Sequence, residues 1–313
     1  MTETVLWVLG IVWVVSFASY LVPQLLLKLR SVQNLKDKYG AKWALVTGGS
    51  SGIGRAIVET LAGQGLNIVV VAMQDKVLDT SVEEYKKAFP SVEFRKVGVD
   101  LSSADRMQPM REATKDIDVQ VIVNNAGYIK TGFFAETPFG AQLANHNVNA
   151  TAAMEVAHHY ISAMRAKGLK GCVTFTSSPA GFMPCPFSVM YGATKAYLTT
   201  FAQSLAPELR CDGIDVCVVH PSPVASSFYD NTHALDALLF FKSTATGPQT
   251  IANILLANVG RAVTIDQGYY PICVKLLLKV LDVNFLAETI ASVAHFMPDF
   301  KAMKSTSSPK KVA

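Results

Sequence analysis

Hydrophobic and polar positions alternate along this chain in three distinct rhythms. From Val5 to Leu27 the sequence VLWVLGIVWVVSFASYLVPQLLL carries no charge. As a helix it would reach roughly 34 Å, against a bilayer hydrocarbon core of about 30 Å. The run therefore predicts a transmembrane helix. A cleaved signal peptide is the alternative, but its apolar region spans only about 7–15 residues and ends at a small-residue cleavage site that is not found here. Beyond residue 42 the rhythm changes to short β-branched runs separated by longer helical stretches. WALVT (43–47), NIVVVA (67–72), EFRKVGV (93–99), VQVIV (119–123), GCVTFT (171–176) and IDVCVV (214–219) read as strands. Near-continuous apolar strands alternating with helices predict an α/β fold, a doubly wound parallel sheet covered on both faces.

The third rhythm is PICVKLLLKVLDVNFLAETIASVAHFM, residues 271–297, which is apolar yet carries Lys275, Lys279, Asp282 and Glu288. It suits a surface helix, packed on the domain or lying on a membrane, better than a second span. The expected organisation is an anchor (1–28), a basic linker (29–42), the α/β domain (43–270), an amphipathic helical segment (271–300) and a polar, disordered tail (301–313).

Composition and charge narrow the function classes. Half of the 313 residues are hydrophobic, and the excess sits at the N-terminus. Only Glu3 precedes the apolar run, whereas Lys28, Arg30, Lys36, Lys38 and Lys42 follow it. The positive-inside rule then puts the N-terminus in the lumen and the remainder in the cytosol. A net charge of +4 without a long basic block argues against a nucleic-acid partner. Five cysteines, an odd number without metal-type spacing, fit reduced structural thiols and imply no metal site.

Directly after the first strand stands Thr47-Gly48-Gly49-Ser50-Ser51-Gly52-Ile53-Gly54, opening a helix. Gly48 allows a tight turn, Gly52 lets a pyrophosphate approach the backbone of Ser50, Ser51 and Ile53, and Gly54 lets helix and strand pack. In this strand–turn–helix context the motif predicts a Rossmann domain holding a dinucleotide. Two more loops follow strand ends: Asp100-Leu101, where a carboxylate can accept from an adenine amino group or simply cap the next helix, and Asn124-Asn125-Ala126-Gly127. The second strand ends Ala72-Met73-Gln74-Asp75-Lys76, with no carboxylate at 72 for a ribose 2′-hydroxyl. With Arg55 and Lys76 near in sequence, the reading is NADP(H), and NAD(H) stays open because of Asp75.

After the fifth strand come Ser178 and then Tyr191-Gly192-Ala193-Thr194-Lys195. Tyrosine and lysine at i and i+4 share a helix face. An ammonium beside the phenol would lower its pKa and let it exchange a proton near neutrality. Ser178 would hold a carbonyl oxygen beside Tyr191, and Lys195 would also bind a nicotinamide ribose. Asn149 could hold a water that re-supplies the proton, or be an ordinary surface asparagine.

TGGSSGIG, VDL with Asp100, NNAG, Asn149, Ser178 and YGATK, in this order, resemble the classical short-chain dehydrogenase/reductase family over residues 42–230. The N-terminal span, NVNA, SSPAGFMPCPFSVMYGATK and VHPSPVASS are similar to its microsomal branch, the 17β-hydroxysteroid dehydrogenases and very-long-chain 3-oxoacyl-CoA reductases. The resemblance implies a lipophilic ketone reduced by NADPH at the endoplasmic reticulum membrane. It also implies cofactor contacts from Pro221, Val224 and Ser226, and leaves a homodimer open. Two departures stand out: that branch commonly has an arginine where Met73 stands, and Pro221-Ser222 replaces the usual Pro-Gly. Lys310 and Lys311 resemble a dilysine retrieval signal. Phe182, Met183, Pro184, Phe187 and LDALLFF (235–241) could line a substrate pocket or pack in the core. A 3-ketosphinganine reductase, a retinol-type dehydrogenase and a catalytically silent cofactor-binding scaffold are the alternatives.

Overall fold

The computed structural model describes residues 2–230, 232–233 and 243–307. Among them, seven parallel strands form a sheet: β1 (Trp43–Thr47), β2 (Asn67–Ala72), β3 (Phe94–Gly98), β4 (Val119–Asn124), β5 (Gly171–Thr176), β6 (Ile214–Pro221) and β7 (Thr264–Gln267), in the order β3-β2-β1-β4-β5-β6-β7. The doubly wound Rossmann arrangement is the one expected. The chain winds from β1 outward to β3, then crosses back to lay β4 on the other side of β1. Loops after β1 and β4 therefore diverge and open a crevice at the carboxyl edge, the switch point where such sheets bind ligands.

Helices α1 (Thr2–Lys28), α2 (Leu35–Tyr39), α3 (Gly52–Gly63), α4 (Lys76–Ala88), α5 (Met107–Thr114), α6 (Phe139–His146), α7 (Ala152–Ala166) and α8 (Val189–Leu209) precede four more among the described residues. Ala44, Val46, Ile68 and Val70 face a core closed by α3, α4 and the helix Pro248–Asn258. The alternate residues Trp43, Leu45, Val69 and Val71 face a second core under α5, α7 and α8. Apolar side chains are needed on both faces, so these strands read as continuous runs in the sequence.

Several boundaries differ from the sequence reading. β7, TIDQ, is too short and polar to register as a strand, and its Asp266 and Gln267 are buried because they are hydrogen-bonded. The basic linker carries α2, capped by Asn34 at one end and by Gly40 at the other. Leu35 and Tyr39 enter the first core, and Gln33 Nε2 donates to the carbonyls of Leu256, Ala257 and Val259. Residues 271–297 form two helices, Tyr269–Val280 and Val283–Val293, with a short turn after them. The tail expected to be disordered from residue 301 starts inside another helix, Pro298–Ser307, whose Met303 packs against Phe133, Phe187 and Tyr229. The apolar stretch 235–241 and Lys310-Lys311 lie outside the described residues.

α1 is long and apolar enough to cross a membrane. Its second half lies on the domain: Asn258 Nδ2 donates to Leu27 O (3.1 Å), Gln24 Oε1 accepts from Asp266 N (3.2 Å), and Tyr20 OH donates to Asp266 Oδ2 (2.8 Å).

Phe175 on β5 is fully buried and meets Phe201 of α8 edge-on at 5.6 Å. Phe175→Ala should cost about 3–5 kcal/mol of stability, seen as a lower urea midpoint with an unchanged slope.

Candidate active site

Thr47 ties the ends of β1 and β4 together. Its hydroxyl accepts from the N–H groups of Asn125 (3.0 Å) and Ala126 (3.0 Å) and donates to Val123 O (3.3 Å). The chain then turns at Gly48, whose φ of +64° is the left-handed conformation suited to glycine. A Cβ on Gly54 would lie 2.0 Å from Gly48 O, so only glycine lets α3 begin so close to the turn. Tyr85 of α4 holds the loop from behind, its hydroxyl donating to Gly49 O at 2.7 Å. Ser51 stands at the N-cap of α3 but makes no capping bond. The helix N-terminus is thus left to an anionic ligand, and a pyrophosphate fits it.

A cavity of about 370 Å³ extends from this loop to α8. Gly48, Ser51, Gly52 and Ile53 line one end. Ala126, Gly127, Pro221, Val224 and Ser226 line the middle, and Ser178, Tyr191 and Lys195 the other end. These are the residues that a nicotinamide dinucleotide would lie along.

Other expected contacts have different surroundings. Asn125 lines the cavity, yet its side chain braces three strands: Nδ2 donates to Thr47 O (3.3 Å), and Oδ1 accepts from Thr176 Oγ1 (3.1 Å). Asn124 is buried with no partner for either side-chain polar atom among the described residues. Asp100 is exposed and accepts from Ser102 N at 2.8 Å, closing a local turn, while the next helix starts only at Met107. Leu101 belongs to the second core. Ser50 and Gly54 shape the loop without lining the cavity.

At the end of β2, Met73 is exposed, and Asp75 is used as the N-cap of α4, accepting from Leu78 N at 2.9 Å. Arg55, expected near a 2′-phosphate, pairs with Glu59 and Glu84, each at 2.8 Å. Those carboxylates compete with any phosphate for it. Lys76 is exposed.

The α8 helix places Tyr191 and Lys195 one turn apart, both buried, with Lys195 Nζ 5.5 Å from the Tyr191 ring centre. Lys195 Nζ donates to Thr176 O at 2.8 Å. Burial lowers its pKa to about 8. Burial also raises the Tyr191 phenol above its ordinary value, with Tyr229 adding to the rise and a hydrogen bond with Ser178 opposing it. The expected lowering of Tyr191 by Lys195 does not prevail in the protein alone; the phenol stands protonated, ready to give a proton. Ser178 Oγ also accepts from Ala180 N at 3.2 Å.

Asn149 is no surface residue. It lies fully buried in a π-helical turn, Asn147–Thr151, and clamps the backbone of Tyr128. Its Oδ1 accepts from Tyr128 N (3.0 Å) and its Nδ2 donates to Tyr128 O (2.9 Å).

Sequence reasoning missed a buried polar chain behind Lys195. Asp266 Oδ1 lies 2.7 Å from His220 Nδ1, and His220 Nε2 lies 2.9 Å from Thr199 Oγ1. Burial keeps His220 below its usual pKa, so the imidazole is neutral. A carboxylate only accepts; Nδ1 therefore carries the hydrogen, and Nε2 accepts from Thr199. Ser177 Oγ then donates to Lys195 O at 2.7 Å. The one sequence signal was His220 inside the mostly apolar strand β6; Asp266 sits in the polar TIDQ, which gave none.

Two measurements probe this end. Lys195 has a folded pKa near 8 and an unfolded one near 10.4. Below pH 8 both states are protonated; between the two values the unfolded chain binds more protons, so stability rises with pH. Denaturant titrations across pH 7–10.5 should show this rise in the wild type and lose it in Lys195→Met. His220→Leu removes the donor to Asp266 and the acceptor for Thr199, and should cost about 1–3 kcal/mol by the same assay.

A family profile described as short chain dehydrogenase matches residues 42–235. A very-long-chain 3-oxoacyl-CoA reductase-like protein of Arabidopsis thaliana is 30% identical over 226 residues, covering 71% of each chain. A solved structure of 7β-hydroxysteroid dehydrogenase superposes with a TM-score of 0.71 at 25% identity, over 79% of this chain and 95% of the other. L-sorbose reductase from Gluconobacter frateurii, solved with NADPH and L-sorbose, does so with 0.61 at 26% identity, over 72% and 94%. With the glycine loop, the buried tyrosine–lysine pair and the parallel sheet already in place, the chain belongs to the short-chain dehydrogenase family and is an oxidoreductase of that kind.

Proposed function

We propose that the protein is a membrane-anchored reductase that converts a lipophilic ketone to an alcohol with NADPH, on the cytosolic face of the endoplasmic reticulum. The observation that carries this reading is the meeting of protonated Tyr191, Ser178 and Lys195 at the end of a cavity that begins at the open N-terminus of α3. A dinucleotide held there by the glycine loop, Tyr191 and Lys195 would supply a hydride for a carbonyl carbon. Ser178 holds the carbonyl oxygen, and Tyr191 gives it the phenolic proton as negative charge develops. Lys195 stabilises the resulting phenolate and binds the ribose. Asn149 holds the backbone of Tyr128, the residue after Gly127 on the cavity wall, and would support a water path for re-protonation.

NADPH is favoured over NADH by the lack of a free carboxylate at the end of β2, with Asp75 engaged as a cap and Lys76 exposed. The NADPH-bound sorbose reductase relative is consistent with this. A long-chain 3-oxoacyl-CoA is the first substrate class and a steroid-like ketone the second, following the names of the two relatives and the apolar wall formed by Phe182, Met183 and Pro184.

The test is NADPH oxidation by full-length protein in detergent, with a long-chain 3-oxoacyl-CoA, a 17-ketosteroid and 3-ketosphinganine, and NADH as the cofactor control. Wild type should turn over one of them, the acyl-CoA first, and Tyr191→Phe should lose roughly 10²–10⁴-fold in kcat. NADPH binding with no turnover of any ketone would sink the enzyme reading and favour a silent scaffold.

A further inference from the structure

We infer that the catalytic domain does not hang below the bilayer on a tether but is sunk into it. The tip formed by the end of helix Tyr269–Val280 and the start of helix Val283–Val293 would lie among the lipid headgroups and first acyl carbons. The inference rests on α1 being a membrane anchor and concerns the depth at which that anchor holds the domain.

The contacts between α1 and the domain run in strict order. Asn258 meets Leu27, Asp266 meets Gln24 and Tyr20, and Lys279 Nζ reaches Ser16 Oγ at 3.1 Å. Helix Tyr269–Val280 therefore runs antiparallel to α1, and its end is the part of the domain that reaches farthest toward the α1 N-terminus.

Residues 2–15 of α1 are all exposed, whereas contact with the domain begins at Ser16. The charge-free part of those turns, Val5 to Val15 behind Glu3, spans roughly 17 Å at 1.5 Å per residue, about 13 Å short of a 30 Å hydrocarbon core. Local thinning of the bilayer can take up part of the shortfall. The rest requires Ser16 and the turn after it to enter the membrane, and the domain tip bound to them must follow.

The tip is built for such an environment. Leu277, Val280, Val283 and Phe285 are all exposed there, Val280 to 57% and Phe285 to 59%. The Lys279 ammonium is turned toward α1, donating to Ser16 Oγ and lying 5.9 Å from the Tyr20 ring centre, so it does not face lipid unpartnered. Asp282, exposed and capping the next helix through Asn284 N, limits the depth to the polar boundary.

Immersion also gives the site a route. Val283 and Ile290 form one wall of an apolar groove of about 630 Å³ whose other wall includes Phe182, Met183 and Gly192, the residue after Tyr191. A lipid-dissolved substrate at the depth of Val283 would already lie against this groove.

Depth-dependent quenching separates the two readings. In full-length protein with Cys211→Ser and Cys273→Ser, an environment-sensitive fluorophore is placed at Val8→Cys, Phe285→Cys or Glu83→Cys. The protein is reconstituted in phosphatidylcholine vesicles bearing a nitroxide at acyl carbon 5. Strong quenching at positions 8 and 285, and little at 83 on α4 at the opposite edge of the sheet, is the expected result. Quenching at 8 without quenching at 285 would overturn the immersion while leaving the anchor intact. No quenching at 8 would overturn both, and equal quenching at 285 and 83 would mean adsorption of the whole domain instead.

Discussion

The demand that most of the structure around the site serves is keeping a lysine amine inside the protein. Lys195 is 3% exposed, and a desolvated ammonium is costly unless it is hydrogen-bonded. Thr176 O meets it directly, which requires β5 to run fully extended to its end. The backbone of Lys195 is held by Ser177, and Thr199, one turn along α8, is held by His220. The same burial that lowers the lysine raises Tyr191, so one low-dielectric pocket prepares a protonated acid and an easily neutralised base side by side.

This polar column reaches beyond the site. Asp266 receives hydrogen bonds from His220 on one oxygen and from Tyr20 of α1 on the other. A helix apolar enough to cross a membrane is therefore built into the network behind the site lysine. The contact explains why α1 is held by the domain over its second half, and it is the geometric root of the shortfall in free helix length.

The cofactor end depends on a different economy of space. Thr47, Asn125 and Thr176 lace the carboxyl ends of β1, β4 and β5 together, holding the crevice open while the glycine loop turns within it. Residues that look ligand-facing in a motif are here partly structural: Asn125 braces strands, Asp100 closes a turn and Arg55 is bound to two glutamates.

Strands β1 to β6, the glycine loop, the tyrosine–lysine pair and the long apolar helix are all legible in the primary structure. Each of these is a local pattern: a burial period, a turn that needs glycine, an i,i+4 spacing, a run without charge. Which polar groups meet across distance is legible only in the folded chain. Nothing near His220 in the chain announces Asp266 or Tyr20, nothing in the basic linker announces that Gln33 caps carbonyls more than two hundred residues away, and TIDQ becomes a strand only because β6 is there to pair with it. Periodicity records how a segment meets solvent and core, whereas a buried hydrogen bond depends on where two segments are brought together, and that is written in the packing of the whole chain.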